Sequence, residues 1–296
     1  MLRASLEQWR MFLAVVEHGG FNQAAAVVHK SQSSIHHAVQ KLEDSLGVKL
    51  FQVDGRKTRL TDAGKLMLRR ASFLLDEAAQ VEAVATSLGE GIETSLRIAV
   101  DEVFPTDILY KALDATSTRF PLLQIELIES ILTGANELLE NLDVDLAISP
   151  FSISDVFCQQ LCDITFIAVA HPDHPLQQAD EPLTLDALKT HRQIVVRDSA
   201  VANKHDSGWL GANQRWTVSH IRTSIDMISK GLGFAWLPKH AIENELADGR
   251  LTPLPLKFNQ QRQGSLFLMM KDFDMQGPAL GCFVEELRRG VGDICL

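Results

Sequence analysis

The sequence predicts an α/β protein preceded by a mostly helical, winged helix-turn-helix head and a long linker helix. Three observations support this prediction. Residues 5–60 show three helical patterns followed by two short strand patterns. Residues 61–88 keep an unbroken heptad repeat of apolar residues, and the remainder of the chain alternates apolar strand patterns with helical ones.

The composition is that of a folded protein. Of its 296 residues, 46% are hydrophobic and 22% are charged, which excludes disorder as the main state and suggests about two domains. The sequence has no run of about 18 apolar residues and no secretory signal pattern. The four cysteines are too few for a disulfide framework: Cys158, Cys162, Cys282 and Cys295. We therefore expect a cytoplasmic protein without a membrane partner.

Charge is distributed unevenly along the chain. Residues 1–70 contain 11 Lys or Arg and 6 Asp or Glu, so this segment carries a net charge of +5 and the remainder carries −15. Such asymmetry indicates that the N-terminal part contacts a polyanion. Small domains often carry a few net charges of either sign, so charge alone leaves both interpretations open.

The head is predicted to contain three helices and a hairpin. Ser5 is the expected N-cap of the first helix, and Asn22 is the expected N-cap of the second. The third helix follows from apolar residues at helical spacing: Ile35, Val39, Leu42 and Leu46. Gly47 is expected to terminate it in the left-handed conformation. Asp54 and Gly55 then form a turn signal between two strand-like segments.

The face of the third helix opposite these apolar residues is polar. It comprises Ser33, Ser34, His36, His37, Gln40 and Lys41. Donors on such a face can contact base edges in a major groove, while nearby Lys and Arg side chains neutralise phosphates. Arg56, Lys57 and Arg59 in the hairpin suit the flanking backbone or the minor groove. Any surface helix has a polar face, so the combination with the basic hairpin is what favours DNA binding.

A single linker helix is predicted from the N-cap Thr61 onward. Its apolar residues alternate steps of four and three: Met67, Ala71, Leu74, Ala78, Val81, Ala85 and Leu88. Alanine at every second position allows two helices to approach closely, so this heptad stripe is predicted to form a dimer. The alternative is an amphipathic helix that packs on its own domain. Gly89 and Gly91 are expected to end the helix.

The C-terminal part predicts βαβ units and mainly parallel sheets, because strands alternate with helices from residue 92 onward. One of the expected helices lies near residues 207–213. Ligands in such folds bind outside the carboxyl ends of the strands. The residues that follow the strands are therefore candidate ligand contacts: Asp101, Glu102, 130–133, Ser149, 197–203 and His220.

The head resembles the DNA-binding region of LysR-type transcriptional regulators. The matching features are a FxxVxExGxF run at residues 12–21 and the pairs Ala24-Ala25, Ser31-Gln32, Leu42-Glu43, Leu46-Gly47 and Leu50-Phe51, closed by Leu60-Thr61-x-Ala63-Gly64. The resemblance implies that Gln32, Ser33, His36 and His37 contact bases and that Asn22 faces a phosphate. Together with the residues above, the candidate DNA contacts are Asn22, Gln32, Ser33, Ser34, His36, His37, Lys41, Arg56 and Lys57.

The segments LRIAV, HPDHPL and KGLGFAWLP resemble the effector-binding region of the same family, which is similar to periplasmic binding proteins. The resemblance implies a DNA-binding domain over 1–60, a linker over 61–89 and a regulatory domain over 92–296. Subdomain I is expected over 92–162 plus about 265–296, and subdomain II over about 163–264. An effector of unknown identity is expected between them, bordered by Asp101, Glu102, Ser130, Thr133, Ser149, Arg197, Ser199, Asn203 and His220.

The resemblance implies double-stranded DNA, a small-molecule effector, further copies of the chain as a dimer or tetramer, and RNA polymerase as partners, and no cofactor. Acidic residues at 101, 102 and 129 disfavour an anionic effector unless Arg197 or His220 offsets them. Whether target genes are activated or repressed stays open.

Other chemistry is possible at two pairs of residues. Cys158 and Cys162 are four apart, which on a helix would bring their sulfurs close and suit a peroxide-responsive regulator. His171 and His174 share a loop whose prolines forbid a helix, so no metal site is predicted. The chain has neither a phosphate-binding glycine loop nor a nucleophile elbow, so no enzyme is predicted. A solute-binding α/β protein without DNA affinity is the remaining alternative.

Overall fold

The computed structural model describes residues 3–54, 57–89, 91–202, 204–258, 260–272 and 276–292. The chain divides into two compact units, residues 1–90 and 91–296. The elements of the first unit are α1 (Leu6–Glu17), α2 (Phe21–Val27), α3 (Gln32–Leu46), β1 (Phe51–Asp54), β2 (Lys57–Leu60) and α4 (Asp62–Gly89). This is the predicted winged helix-turn-helix followed by the predicted linker helix.

Local capping sets the bounds of the head helices. Ser5 caps α1 in a capping box with Gln8, and Gly47 ends α3 at φ 70°, both as predicted. The N-cap of α2 is Gly20, at φ 155°, rather than Asn22, which lies in the first turn. The prediction for Asn22 is wrong. The glycine pair at 19–20 adopts positive φ values and turns the chain, so the helix begins at Phe21, one residue before Asn22.

The core of the first unit joins all four of its helices to the wing. Its buried apolar residues are Met11, Phe12, Ala14, Val15, Ala24, Ile35, Val39, Leu42, Leu50 and Ala71. Phe51 at the start of β1 extends this core, because its ring lies 5.4 Å from that of Phe12 and 5.6 Å from that of Phe21 in edge contacts. The wing is therefore packed against α1 and α2.

The heptad stripe of α4 is divided between two environments. Ala71 is 2% exposed and Met67 packs beside it, both in the head's own core. Leu74 and Val81 are 39% and 62% exposed. Ala71 is therefore wrongly assigned to a partner helix, because the protomer's own head covers it, whereas Met67 is half-buried. The apolar surface available to a partner begins at Leu74; Ala78 is half-buried and Ala85 is exposed, and the side chain of Leu88 lies outside the described residues.

The second unit contains nine strands and six α-helices among its described residues. The strands are β3 (Ser95–Asp101), β4 (Gln124–Ser130), β5 (Leu146–Ser149), β6 (Phe157–Ala170), β7 (Arg192–Val196), β8 (Gln214–Val218), β9 (Phe234–Pro238), β10 (Thr252–Pro253) and β11 (Gln261–Met270). The helices are α5 (Thr106–Arg119), α6 (Gly134–Glu140), α7 (Leu185–Leu188), α8 (Ile221–Ile228), α9 (Glu243–Ala247) and α10 (Pro278–Gly292). Short 3-10 turns occupy Pro175–Gln178 and Lys239–Ile242.

The helix expected near residues 207–213 does not form. This segment is an irregular loop between β7 and β8. Gly208 takes φ 81°, outside the helical region, and a side chain at Gly211 would lie 2.6 Å from the Trp209 ring. The two glycines therefore allow a tight loop. This loop packs Trp209 against the core, where its ring lies 6.2 Å from the Phe234 ring.

The nine strands form one sheet in the order β4-β3-β5-β11-β6-β9-β7-β8, and β10 pairs with β6. Strands at both ends pair in parallel, whereas β5-β11, β11-β6 and β6-β9 pair antiparallel. The expectation of mainly parallel sheets therefore holds only for the two ends. The centre is antiparallel because the long strands β6 and β11 run across the middle of the sheet in opposite directions.

Several apolar clusters form around these two crossing strands, and the two largest lie toward opposite ends of the sheet. One core lies under β3, α5 and α10 and includes Ile98, Phe104 and Phe283. The other lies between β6, β7, β9 and α8 and includes Ile194 and Ile225. The two cores are those of the predicted subdomains I and II, and β6 and β11 span both predicted boundaries. No helix in the described part of the chain is long and apolar enough to cross a membrane.

Candidate functional site

The polar face of α3 is open to solvent. This recognition face comprises Gln32, Ser33, Ser34, His36, His37, Gln40 and Lys41, all of them exposed. At the N-terminus of α3, Ser31 Oγ accepts the Ser34 N–H at 3.2 Å and lies 3.0 Å from Ser33 Oγ. The first turn therefore presents hydroxyl groups beside helix N–H groups, an arrangement that suits hydrogen bonds to bases or phosphates.

Helix α2 supports one of the two recognition histidines. The His36 ring lies 5.1 Å from the Phe21 ring, and Phe21 itself packs on Phe51 of the wing. This contact fixes the orientation of His36 relative to α2. Asn22, next to Phe21, is exposed in the first turn of α2, where its amide can reach a ligand on the same side as the helix N-terminus.

A buried carboxylate fixes the wing to the end of α3. Glu43 accepts the N–H groups of Leu50 at 2.7 Å and Phe51 at 3.2 Å, and it pairs with Lys49 at 2.7 Å. Burial alone would raise its pKa, but the hydrogen bonds from Lys49 and from the two backbone groups outweigh burial and hold the pKa below its ordinary value. Glu43 thus stays charged while it positions the strand that follows.

The hairpin carries the basic residues expected beside DNA. Gly55, Arg56 and the side chain of Lys57 lie outside the described residues. Arg59 on β2 is exposed, and β1 and β2 pair antiparallel from Phe51 opposite Leu60 to Asp54 opposite Lys57. The hairpin predicted from Asp54 and Gly55 therefore forms, and the wing is two short strands as expected.

In the second unit, a cavity of about 930 Å³ lies between subdomains I and II. Subdomain I contributes the end of β3, the start of α5 and part of β4, while subdomain II contributes α8 and the segment from Lys239 to Asn244. Residues 163–165 of β6, where the chain crosses between subdomains, also line it. Three of the predicted effector contacts reach this cavity: Asp101, Glu102 and His220.

Glu102 joins the two subdomains at the edge of the cavity. Its Oε1 lies 2.5 Å from His220 Nδ1, and its Oε2 accepts the N–H of Ile221, the first residue of α8, at 2.7 Å. The hydrogen bond and the charge of Glu102 raise the pKa of His220 above its ordinary value. This favours a charged imidazolium paired with the carboxylate, and the same carboxylate satisfies a free N–H at the N-terminus of α8.

Asp101 is buried at the wall of the cavity without a cationic partner among the described residues. Only 2% of its surface is exposed, and it accepts the N–H groups of Val103 at 3.0 Å and Leu132 at 2.6 Å. Burial raises its pKa to about 7, against the lowering effect of these two hydrogen bonds. A carboxyl group that titrates near neutrality therefore faces the cavity.

Two of the remaining predicted effector contacts, Thr133 and Ser199, lie where the two subdomains touch. Asp198, buried after β7, accepts the Thr133 N–H at 3.2 Å and the Thr133 hydroxyl at 2.5 Å. Ser199 Oγ accepts the Ile131 N–H at 2.9 Å. These bonds define the subdomain contact, in which residues 131–133 of subdomain I are hydrogen-bonded to residues 198–199 of subdomain II.

Ser130, Ser149 and Arg197 are not among the residues that line this cavity. Ser149 Oγ is buried and donates to the Leu132 carbonyl at 2.9 Å, so it shapes the loop behind Thr133. Ser130 is buried at the end of β4, and Arg197 is exposed at the end of β7. Asn203 lies outside the described residues. The rule that ligand contacts follow strands thus selected residues of this cavity and residues of the subdomain contact without distinguishing the two groups.

Two residues of the subdomain contact were not among the individual candidates. Asp198 also accepts the N–H groups of Ala200 at 2.9 Å and His205 at 2.7 Å, so four donors converge on it. Glu137 on α6 accepts the Val201 N–H at 2.6 Å. Asp198 falls within the flagged stretch 197–203 and could have been selected as an acid directly after a strand. No sequence signal points to Glu137.

The alternative of a redox pair at Cys158 and Cys162 does not fit the structure. Both residues lie on the strand β6, where Cys158 is opposite Met269 and Cys162 is opposite Leu266, and not on a helix. Residues four apart on a strand are separated by about 13 Å, far beyond disulfide reach. An irregularity in the β6-β11 register at Leu161 also places the two on opposite faces, so that Cys158 and Cys162 pack in different clusters. Burial raises the pKa of the Cys158 thiol, which disfavours a reactive thiolate.

Across the described segments, no three His, Cys, Asp or Glu side chains lie close enough together to hold a metal ion. In the loop of the two histidines, His174 Nδ1 accepts the Leu176 N–H at 3.2 Å and caps the following turn. His174 also packs against His191, with ring centroids 5.4 Å apart and the ring planes tilted by 57°. Burial, aided by the neighbouring histidines, lowers the pKa of His174.

A winged helix-turn-helix with an open recognition face, together with an α/β unit that holds a cavity between two subdomains, defines a ligand-responsive DNA-binding regulator. Two family models match the chain: "Bacterial regulatory helix-turn-helix protein, lysR family" over residues 6–65, and "LysR substrate binding domain" over residues 89–292. The chain therefore belongs to the LysR family of DNA-binding transcriptional regulators, with a C-terminal effector-binding domain. The sequence prediction of fold, family and function is confirmed, and the solute-binding alternative is wrong.

Known relatives agree with this assignment. The chain is 32% identical over 252 residues to the probable HTH-type transcriptional regulator YhaJ of Escherichia coli (strain K12). The matched region covers 83% of this chain and 84% of that relative. It is 27% identical to the HTH-type transcriptional activator AllS of Klebsiella pneumoniae, covering 83% of this chain and 93% of that one. Among solved structures, the LysR-type regulator CrgA of Neisseria meningitidis shares the fold, with a TM-score of 0.54, 22% identity, and coverage of 97% and 98%.

Proposed function

We propose that this regulator acts as a homodimer whose recognition faces contact the major groove, and that a small molecule in the inter-subdomain cavity controls it. The proposed contact with DNA rests on the open recognition face of α3, which is polar throughout and free of acidic side chains before Asp44. The net charge of +5 on residues 1–70 adds the attraction to phosphates that all DNA-binding domains need.

The effector part rests on how the subdomains are held. Glu102 with His220, and Asp198 with Thr133, join the subdomains at two places, and the cavity adjoins the first of these pairs. A ligand that binds the cavity in one arrangement of the subdomains better than in another must shift the balance between them. We infer that such a shift is what the DNA-binding unit responds to.

Further properties follow from the same proposal. The half of the heptad stripe that begins at Leu74 provides apolar surface for a partner helix, so a dimer is expected, with a tetramer as a possible higher assembly. The regulator works in the cytoplasm without enzymatic activity or a bound cofactor, and RNA polymerase is its expected partner at promoters.

Binding-site selection with the full chain tests the DNA part. His37→Ala should change which base pairs are selected, because His37 is an exposed donor at the centre of the recognition face. Lys41→Ala should weaken binding to all sequences alike and reduce the salt slope by about one unit, because it removes one phosphate contact. Lys230→Ala, an exposed lysine of the second unit, is the control and should change neither. If Lys41→Ala altered base preference at an unchanged salt slope, the assigned roles would be wrong.

A further inference from the structure

We infer that the inter-subdomain cavity binds an organic cation, a molecule with one or more amino or guanidino groups on an apolar body. The inference rests on the proposed function, since it names the class of molecule that would occupy the proposed effector cavity. It is drawn from the size of the cavity, the nature of its walls, the balance of its charges and one buried carboxylate.

The cavity has the volume and the apolar walls of a site for a small organic molecule. Its volume of about 930 Å³ lies in the range of ligand pockets. Its apolar lining comprises Phe104, Pro105, Leu109, Leu127, Ile164, Ile221 and Ile225. Tyr110 adds an exposed aromatic ring. Such walls favour a ligand with a hydrocarbon or aromatic body over a bare ion.

Carboxylates dominate the charge of the lining. The six acidic residues are Asp101, Glu102, Asp107, Glu129, Asp163 and Glu243, against two permanent cations, Arg222 and Lys239. Arg222 is held by acids outside the cavity, at 3.5 Å from Asp226 and 3.9 Å from Glu245. Arg222 therefore shares its charge with two acids outside the cavity, and acidic residues still outnumber the cations Arg222 and Lys239 in the lining, so the field inside the cavity is negative.

The two cavity histidines do not restore the balance. His220 is engaged by Glu102, so its charge compensates chiefly that carboxylate, with a weaker attraction to Glu129. His240 lies in the 3-10 turn before α9, and burial lowers its pKa, which favours the neutral ring. Asp107, Glu129 and Glu243 form no hydrogen bond or ion pair with the described residues, and all three are exposed toward solvent at the rim. These rim carboxylates are free to bind a cation that enters.

Asp101 is the second and independent sign of a cationic ligand. It is 2% exposed yet lines the cavity, and its two hydrogen bonds come from the N–H groups of Val103 and Leu132. A carboxylate has about four acceptor positions, so roughly half of its capacity remains. A buried carboxylate without a counter-ion is costly, and this cost is why burial raises the pKa of Asp101 to about 7 and favours its protonated form unless a cation lies beside it. An ammonium or guanidinium group in the cavity would supply both the missing charge and the missing donors.

Matched probes of opposite charge test the inference with the full chain. The cations are hexamethylenediamine, spermidine and benzamidine, and the anions are adipate, citrate and benzoate, each at millimolar concentration. We expect the cations to raise the melting temperature and the anions to leave it unchanged, because only a ligand bound by the folded state stabilises it. Calorimetric titration then gives Kd for the strongest cation.

Variants locate the binding. Glu129→Gln, an exposed rim position, should weaken the strongest cation about tenfold, which corresponds to about 1.4 kcal/mol. Asp101→Asn should weaken it at least as much. Glu140→Gln, an exposed carboxylate on α6 away from the cavity, is the matched control and should leave Kd unchanged. If Asp101→Asn does not fold, Glu129→Gln and the probe set still decide the outcome.

The outcomes separate this inference from the proposed function. If anions bind and cations do not, the ligand class is wrong, whereas an effector cavity between the subdomains still stands. Cation binding that Glu129→Gln leaves unchanged contradicts the inference, because the site is then elsewhere. If no probe of either charge binds, both the inference and the effector part of the proposal are overturned, while DNA recognition is judged by its own experiment.

Discussion

Glu102 Oε1 lies 2.5 Å from His220 Nδ1, and this single contact connects residues 118 positions apart in the chain. The same carboxylate accepts the Ile221 N–H, so it joins the end of β3 in subdomain I to the N-terminus of α8 in subdomain II. Because the cavity lies against both residues, any change in this pair changes the wall of the proposed effector site.

The first prediction concerns the titration of His220. Because Glu102 raises its pKa, the ion pair is fully present below the ordinary histidine value of about 6.5 and is lost as pH rises through the higher folded value. An NMR titration of the imidazole should give a midpoint above that of an exposed histidine. In Glu102→Gln, which keeps an acceptor for Ile221, the midpoint should fall back. Equal midpoints in the two proteins would mean that the pair does not exist in solution.

The second prediction concerns Asp101. Its pKa is about 7 in the fold and 3.8 as an ordinary aspartate, so the folded state holds a proton that the unfolded chain has already released. Stability contributed by this group is therefore lost as pH rises from about 4 to about 7, by on the order of 4 kcal/mol. Denaturant unfolding of wild type and Asp101→Asn across this range should show wild type losing stability relative to the variant.

The matched control for Asp101 is Asp114→Asn, an exposed aspartate on α5. It should give a difference from wild type that is close to zero and independent of pH, as expected for a surface group. A pH-independent difference for Asp101→Asn as well would contradict the assignment of a protonated, buried carboxyl group.

The third prediction concerns the junction of wing and linker helix. A Cβ on Gly64 would lie 2.1 Å from the Leu50 carbonyl oxygen, which is fixed because it accepts the Thr61 N–H at 2.9 Å. Gly64→Ala should therefore destabilise the first unit by about 1 to 3 kcal/mol. Gly89→Ala, in the same helix with open space around it, should be neutral or slightly stabilising. Hydrogen exchange of α3 amides reports the difference, and equal protection in the two variants would disprove the clash.

The fourth prediction concerns dimer formation through α4. Ala78→Glu should separate the dimer at micromolar concentration, since burying an unpaired carboxylate costs several kcal/mol in a total of about 12 for nanomolar affinity. Affinity for DNA should fall with it, because two linked heads bind one duplex more tightly than one. Ala79→Glu places the same charge one position away on an exposed residue and should leave the mass unchanged. Sedimentation at matched concentration decides; equal masses for all three proteins would mean that α4 does not hold the dimer.

The fifth prediction concerns oxidation. Mild peroxide treatment should not join Cys158 to Cys162, because the strand places them about 13 Å apart and on opposite faces of the sheet. Peptide mapping under non-reducing conditions should recover both cysteines in unlinked peptides, and DNA binding should survive the treatment. Recovery of a 158–162 disulfide would require β6 to rearrange and would restore the redox alternative.

The sequence by itself determined the parts of this protein that depend on near neighbours in the chain. Ser5 caps α1 through Gln8, Ser31 caps α3 through Ser34, and Gly47 ends α3, all within a few residues. Such interactions are local, so residue type and spacing suffice to predict them. The same holds for the exposed recognition face of α3, which follows from helical periodicity alone. The failure at Asn22 is also local, because the two preceding glycines began α2 earlier.

The tertiary structure decided everything that depends on residues brought together from distant parts of the chain. Asp198 meets Thr133 across 65 positions and Glu102 meets His220 across 118, and only the closure of the two subdomains creates these pairs. The closure of the two subdomains also placed some predicted effector residues in the wall of the cavity and others in the direct contact between the subdomains. The register of β6 against β11, with its irregularity at Leu161, separated the two cysteines. Sheet register and subdomain closure depend on the packing of the whole unit, so a short stretch of the sequence cannot predict them.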